Sequence, residues 1–164
     1  MGDDVDPLAA DAFHGRAARL KTKPGGPKIL VGGGGEKRTL KIAARFADIT
    51  NWFGGLDEAA PKLAVLDRHC EAIGRDPAEI LRTVAVPIVP VESERDKASL
   101  LAGIPENGRG MIRPVTIAEG AEILHAYIEA GFGGFTMRNV AIRTPEGVAR
   151  VGELIGLMRS EAGP

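Results

Sequence analysis

Residues 28–47 read KILVGGGGEKRTLKIAARFA, and this stretch decides the fold class. A short apolar run at residues 28–31 is closed by four consecutive glycines, Gly32 to Gly35, as expected of a buried strand that ends in a turn. Small and apolar residues then recur at helical spacing, at Leu40, Ala43, Ala44 and Ala47. This spacing predicts a helix over about residues 36–47 that begins directly after the glycines.

The same strand-then-helix pattern recurs three more times along the chain. Strands are predicted at residues 48–53, 81–91 and 132–139, and no hairpin signal joins any two of them. Pro87 and Pro90 place a strand end or a bulge within the second of these strands, because proline lacks a backbone donor. Four βα units in tandem predict an α/β protein with a parallel sheet.

The helices are predicted from apolar spacing and from helix-start signals. Thr116 and Glu119 form a capping-box pattern, and Thr144-Pro145 supplies a cap followed by a first-turn proline. A short helix near residues 93–102 is followed by a predicted loop. The apolar faces predicted for the three long helices are Leu63, Leu66, Cys70 and Ile73; Ile117, Ala121, Leu124 and Ile128; and Val148, Val151, Ile155 and Met158.

The composition of the chain argues against several classes of function. The 164 residues carry a net charge of −1 with no basic stripe, and aromatic residues make up only 4%, which argues against nucleic-acid binding. No apolar run approaches the roughly 18 residues that span a bilayer, so no membrane contact is expected. The single cysteine excludes an internal disulfide framework and predicts a cytoplasmic location. Residues 1–27 are predicted to be an irregular lead, and residues 28–161 the domain.

The glycine run is the strongest candidate binding site. Gly32, Gly33, Gly34 and Gly35 let backbone amides approach a ligand closely, and the following helix N-terminus attracts an anion such as phosphate. The alternative is a flexible strand-to-helix turn. The run lacks the Gly-Lys-Ser/Thr ending of a Walker loop and the third glycine of the dinucleotide fingerprint. A carboxylate at Glu36 would stabilise the helix but repel a phosphate.

The end of the second strand is expected to lie beside the glycine run, because ligands of parallel sheets bind at the carboxyl ends of strands. Asn51, Phe53 and Gly54 are therefore candidate binding residues. Two interpretations of Asn51 remain open: it contacts a ligand, or it satisfies a local turn amide. Trp52 is predicted to belong to the core. Arg138 and Asn139 end the last strand and are weaker candidates at the same rim.

The remaining polar residues predict no catalytic or metal site. His69 and Cys70 are adjacent on a helix and face different directions, and His14 and His125 are isolated. None of the four has a partner at the spacing that metal ligands need. No nucleophile-base pair is apparent either.

Two segments resemble luciferase-like flavin monooxygenases, most closely the branch that uses the deazaflavin coenzyme F420. They are residues 27–51, PKILVGGGGEKRTLKIAARFADITN, and residues 62–80, KLAVLDRHCEAIGRDPAEI. The lead from Phe13-His14-Gly15 to Leu20 is also similar. The resemblance extends over most of residues 13–140, and the combination of motifs is specific.

This resemblance implies the fold and the cofactor. It implies the C-terminal half of a (β/α)₈ TIM barrel, in which Gly32 to Gly35 hold the cofactor phosphate and Asn51, Phe53 and Gly54 adjoin it. The cofactor would be F420, with FMN as the alternative. The chain departs from the family at residues 115–119, VTIAE, where a Gly-Thr/Ser-Pro-Glu-like turn is usual. It is also short of the ~250 residues of a barrel, and the family's proton donors come from the half it lacks.

A half-barrel would leave an apolar inner face and two open edges, near residues 28–32 and 134–139. A homodimer or a separate N-terminal half is therefore expected to cover them. Three functions remain open at this stage. The chain is a part of an F420- or FMN-dependent oxidoreductase, inactive or weakly active alone; a non-catalytic half-barrel remnant or binding module that dimerises; or a self-contained flavodoxin-like domain.

Overall fold

The structure, a computed structural model, describes residues 26–137 and 144–161. Most of the predicted lead, together with Arg138 and Asn139, lies outside the described residues. The strands are β1 (Leu30–Gly32), β2 (Ile49–Phe53), β3 (Leu81–Val86), β4 (Ile88–Pro90), β5 (Arg113–Val115) and β6 (Gly134–Met137). The helices are α1 (Thr39–Phe46), α2 (Leu56–Glu71), α3 (Glu94–Ala102), α4 (Glu106–Arg109), α5 (Ile117–Glu129) and α6 (Pro145–Glu161), with a 3₁₀ turn at Pro77–Glu79.

The main sheet has four parallel strands in chain order, β1-β2-β3-β6. Right-handed crossovers between such strands place all the connecting helices on one face. The core confirms this arrangement, because Trp52 and Val84 of the sheet are fully buried in one cluster with residues of α1, α2, α5 and α6. A flavodoxin has a different strand order, so the flavodoxin-like hypothesis is not supported.

The other face of the sheet carries side chains that these helices do not cover, and we call it the open face. It consists of three rows across the strands: Leu30, Ile49 and Leu81; then Gly32, Asn51, Thr83 and Gly134; then Phe53, Ala85 and Thr136. The first row is apolar, as predicted, with Leu30 53% and Leu81 46% exposed. The middle row is small and polar, which the prediction of an apolar face did not include.

The strand predicted at residues 81–91 is two strands. β3 and β4 are separated by Pro87, which has no N–H for the sheet ladder. β4 pairs in parallel with β5, and the Pro87 carbonyl accepts the Arg113 N–H at 2.7 Å. The predicted loop after residue 102 was therefore wrong, because it contains both α4 and β5. Three residues with a central proline are too short to show a strand period.

The first helix begins later than predicted. Residues 36–38 form a turn, and α1 begins at Thr39. Across this turn the Leu40 N–H bonds to the Gly35 carbonyl, and α-helical spacing starts with the bond from Ile42 to Arg38. No acidic residue lies in the first turn of α1. The expected role of Glu36 in stabilising the helix was therefore wrong.

Each of the three predicted apolar faces was correct only in part. Leu63, Leu66 and Cys70 are buried, whereas Ile73 follows the helix and is 46% exposed. In α5, Tyr127 is buried in place of Ile128. In α6, Leu154 is fully buried, while Val148 is 59% and Ile155 42% exposed. One residue along a helix rotates a side chain by about 100°, so the neighbouring face of α6 packs on the core.

The predicted capping box is present at the start of α5. The Thr116 hydroxyl accepts the Glu119 N–H, and the Glu119 carboxylate accepts the Thr116 N–H at 2.7 Å. Lys97 of α3 also donates to this carboxylate, which ties α3 to α5. The Lys97 bond and the bonds from Thr116 lower the pKa of Glu119 from 4.5 to about 2, and the same contact raises the pKa of Lys97.

Acidification is expected to remove the contribution of Glu119 to stability. A carboxylate with a lowered folded-state pKa stabilises the fold fully above its unfolded pKa, and loses that effect as pH falls through the folded one. The relevant window here runs from 4.5 down to about 2. Thermal unfolding should show the native chain more stable than Glu119→Gln at pH 7, with the difference shrinking through this window. A difference independent of pH would contradict the role of the charge.

Candidate functional site

The glycine run lies at the carboxyl end of β1, as predicted. Gly32 is the last strand residue and pairs with Asn51 of β2. Gly33 has a φ of +104°, a conformation that favours glycine, and its N–H donates to the Asn51 carbonyl at 2.8 Å. The Gly33 amide is therefore used by the sheet. The amides of Gly34 and Gly35 donate no hydrogen bond to the backbone of the described residues.

Two side chains lie close to Gly34 and Gly35, the glycines whose amides donate no hydrogen bond to the sheet. A Cβ on Gly34 would stand 2.9 Å from Cδ and 3.2 Å from Nζ of Lys62, and one on Gly35 would stand 2.9 Å from the Thr39 hydroxyl. The turn is thus a small cradle with two amides, an ammonium group and a hydroxyl. These groups fit a phosphate, which accepts hydrogen bonds and carries negative charge. Sequence reasoning missed Lys62 and Thr39.

The turn after the cradle is held by α2. His69 Nε2 donates to the Glu36 carbonyl at 2.8 Å, and this contact joins α2 to residues 36–38. The histidine therefore has a structural partner. Across residues 26–137 and 144–161, no three His, Cys, Asp or Glu side chains are grouped as metal ligands would be.

Asn51 links the glycine turn to the open face. Its carbonyl accepts the Gly33 N–H, and its side-chain Oδ1 accepts the hydroxyl of Thr83 at 3.1 Å. The structure thus brings Asn51 and the glycine run together, although whether Asn51 touches a ligand stays a prediction. Trp52 is fully buried and packs edge-to-face on Phe132 at 5.7 Å. The prediction that Trp52 belongs to the core is confirmed.

Gly54 turns the chain from β2 into α2. Its φ is +138°, and its carbonyl accepts the Tyr127 hydroxyl of α5 at 3.1 Å. Burial raises the pKa of Tyr127, and the protonated phenol is the donor in this bond. Tyr127 therefore supports the backbone at a predicted site residue. The sequence contains no local signal for this contact, because the two residues belong to different units.

A cavity of about 490 Å³ lies at the carboxyl ends of β2 and β3. Its lining is mostly apolar, and comprises Phe53, Gly54, Gly55, Ala85, Val86, Pro87, Gly110 and Met111. Phe53 is 69% and Met111 76% exposed, so two large apolar side chains border it. The volume lies within the range of small-molecule sites. The described glycine run does not line the cavity, but it ends a neighbouring strand of the same sheet.

The sequence matches no protein-family model and no curated protein. The structure, in contrast, is similar to solved enzymes. It superposes on a long-chain alkane monooxygenase with a TM-score of 0.67 at 13% identity, covering 84% of this chain and 42% of that one. A riboflavin lyase solved with modified FMN and riboflavin gives 0.68 at 12% identity, covering 84% and 44%.

An F420-dependent secondary alcohol dehydrogenase, solved with an F420-acetone adduct, gives a TM-score of 0.59 at 15% identity, covering 85% of this chain and 51% of that one. These structural neighbours are luciferase-like monooxygenases and an F420-dependent dehydrogenase, as the sequence resemblance predicted. At such identities the similarity shows the fold: an α/β chain with a parallel sheet, similar to luciferase-like TIM barrels. The chain spans about half the length of these structures.

The described helices give no membrane span, since none of them is both long and apolar enough.

Proposed function

We propose that this chain is the cofactor-phosphate-binding, C-terminal half of a luciferase-like oxidoreductase that uses F420 or FMN. Its four βα units would form half of a (β/α)₈ barrel, and the cofactor would supply hydride chemistry at its ring. The observation that carries the proposal is the cradle at Gly34 and Gly35. It combines unused amides with a cation at a strand's carboxyl end, in a fold shared with enzymes of this kind.

The second predicted group supports a ligand larger than phosphate. Phe53 and Gly54 line the apolar cavity at the ends of β2 and β3. Neighbouring strands lie about 4.8 Å apart, so this cavity is within roughly 10 Å of the end of β1. A cofactor with its phosphate at the glycine turn could reach the cavity with its ring. Gly32 and Gly33 then shape the turn, while Gly34 and Gly35 donate to the phosphate.

The exposed apolar side chains favour a covering partner. Of the nine large apolar side chains exposed among the described residues, six lie on the open face, at Leu30, Phe53 and Leu81, or on the terminal described helices, at Ile42 of α1 and at Val148 and Ile155 of α6. A closed barrel buries such positions against its other half. We infer that a second copy or a separate N-terminal half completes the structure, and that turnover by this chain alone is low or absent. The proton donors would come from that other half.

Calorimetric titration of the full chain with F420, FMN and riboflavin tests this function. We expect F420 or FMN to bind, and we expect FMN to bind at least ten-fold more tightly than riboflavin if FMN is the cofactor, because only FMN carries the phosphate. Turnover assayed with the purified chain should be negligible. Failure of both F420 and FMN to bind would overturn the proposal. Binding without turnover, even with a completing half, would favour the non-catalytic binding module.

A further inference from the structure

We propose that Lys62 is the cation of the phosphate site, so that the anion is held jointly by the glycine turn after β1 and by the helix of the next βα unit. The inference rests on the proposed function and adds to it a binding residue that neither the sequence motifs nor the comparisons single out. The class of ligand is a phosphate ester, held by its charge.

The position of the Lys62 side chain depends on Gly34. The lysine belongs to α2, and its chain lies across the glycine, with Cδ, Cε and Nζ all within 3.2 Å of the point where a Cβ would stand. Real Cβ atoms do not have neighbours at 2.9 Å, so only glycine admits this arrangement without a shift. Gly34 thus has two effects: it exposes an amide, and it admits an ammonium group beside that amide.

The ammonium group has no anionic partner in the described part of the chain. Lys62 is half-buried, and it forms no ion pair or hydrogen bond with residues 26–137 or 144–161. Glu58, four residues earlier on the same helix, is placed for an ion pair. Its Oε2 lies instead within 3.0 Å of the Cβ position of Gly54.

A positive charge without an anionic partner favours a counter-ion. The amides of Gly34 and Gly35 add partial positive charge in the same turn, and the Thr39 hydroxyl adds a further donor. The four groups that define the cradle can therefore all donate to an anion, whereas the Glu36 carboxylate, next in the chain, would repel it. Lysine acts here as a compact point charge, which suits a phosphate oxygen.

A competing explanation is that Lys62 merely packs its aliphatic chain over the glycine and extends its charge into solvent. Lys62→Met separates the two explanations, because methionine keeps a flexible chain of similar length and removes the charge. Lys41 lies on α1, is exposed, and is not among the side chains nearest to Gly34 and Gly35. Lys41→Met is therefore a control with the same change in net charge.

The test uses the full chain and inorganic phosphate. Phosphate should shift the backbone amide resonances of Gly34 and Gly35 in the native chain, and Lys62→Met should weaken this binding about ten-fold while Lys41→Met changes it less than two-fold. With FMN and riboflavin as second probes, Lys62→Met should reduce affinity for FMN and leave that for riboflavin unchanged. Circular dichroism verifies that both variants are folded.

Each outcome distinguishes the role of Lys62 from the proposed function. Equal phosphate affinity in Lys62→Met and the native chain would overturn the role of Lys62 and leave the glycine site intact. Equal weakening by Lys62→Met and Lys41→Met would show a general charge effect and would also overturn it. If phosphate shifts neither glycine amide in the native chain, the phosphate site itself is wrong.

Discussion

Leu81→Glu is expected to convert the assembled chain into a monomer. Leu81 is 46% exposed in the apolar row of the open face, at the opposite end of β3 from the candidate site. In a barrel completed by a partner this position would be buried. Burying a fully exposed leucine stabilises by about 1.5–3 kcal/mol, and roughly half of that remains to be gained at Leu81. A carboxylate at the same place adds the larger cost of desolvating a charge. The dissociation constant should rise by at least about 100-fold.

Size-exclusion chromatography with light scattering at micromolar concentration measures this effect. Ile73→Glu is the matched control, because Ile73 is also 46% exposed but follows α2, away from the open face. We expect the native chain and Ile73→Glu to associate, either with a second copy or with a co-purified N-terminal half, and Leu81→Glu to be monomeric and folded. A native chain that is monomeric and well folded under these conditions would contradict the proposal of a partner.

Periodicity was sufficient for the parallel sheet and its order, because each unit carries its own signal. The run at residues 49–53 and the buried face of α2 at Leu63, Leu66 and Cys70 are examples. Periodicity was not sufficient where the packing of other elements determines which face of a helix is buried. The apolar spacing of Val148 and Ile155 is real, yet α5 and β4 pack on the face that contains Leu154.

Only the backbone part of the candidate site, the glycine turn, could be predicted from the sequence. Glycines at the end of a strand identify a turn that can approach a ligand, and the structure places Gly32 to Gly35 at that position. The side chains that surround the turn come from elsewhere in the chain. Lys62 reaches Gly34 and Tyr127 reaches Gly54 only after the helices pack. Contacts of this kind depend on crossing angles and distances between units, which a single sequence does not display.

The second large expected effect is a loss of stability on replacing Arg75, whose side chain contacts the C-terminal end of α1. Its guanidinium group donates to the Ala44 carbonyl at 2.9 Å and to the Ala47 carbonyl at 2.8 Å. The side chain is only 12% exposed, and Ala44 and Ala47 are fully buried. These bonds satisfy carbonyls that a helix end leaves without partners, and they place a cation at the negative end of its dipole. Nε of Arg75 also pairs with Glu79 at 3.1 Å.

Arg75→Met should therefore lower the free energy of unfolding by about 3 kcal/mol, since a hydrogen bond from a charged donor contributes about 1.5–3 kcal/mol and two are lost. Arg75→Lys keeps the charge but cannot donate to both carbonyls with one planar group, so its loss should be intermediate. Arg68→Met, on the exposed side of the last turn of α2, is the control and should change stability by less than about 0.5 kcal/mol. Urea denaturation followed by circular dichroism measures all three.

Because α1 continues directly from the turn that follows Gly35, Arg75→Met should also broaden the amide resonances of Gly34 and Gly35. Sharp and unshifted glycine resonances in that variant would show that the cradle is held independently of the far end of α1.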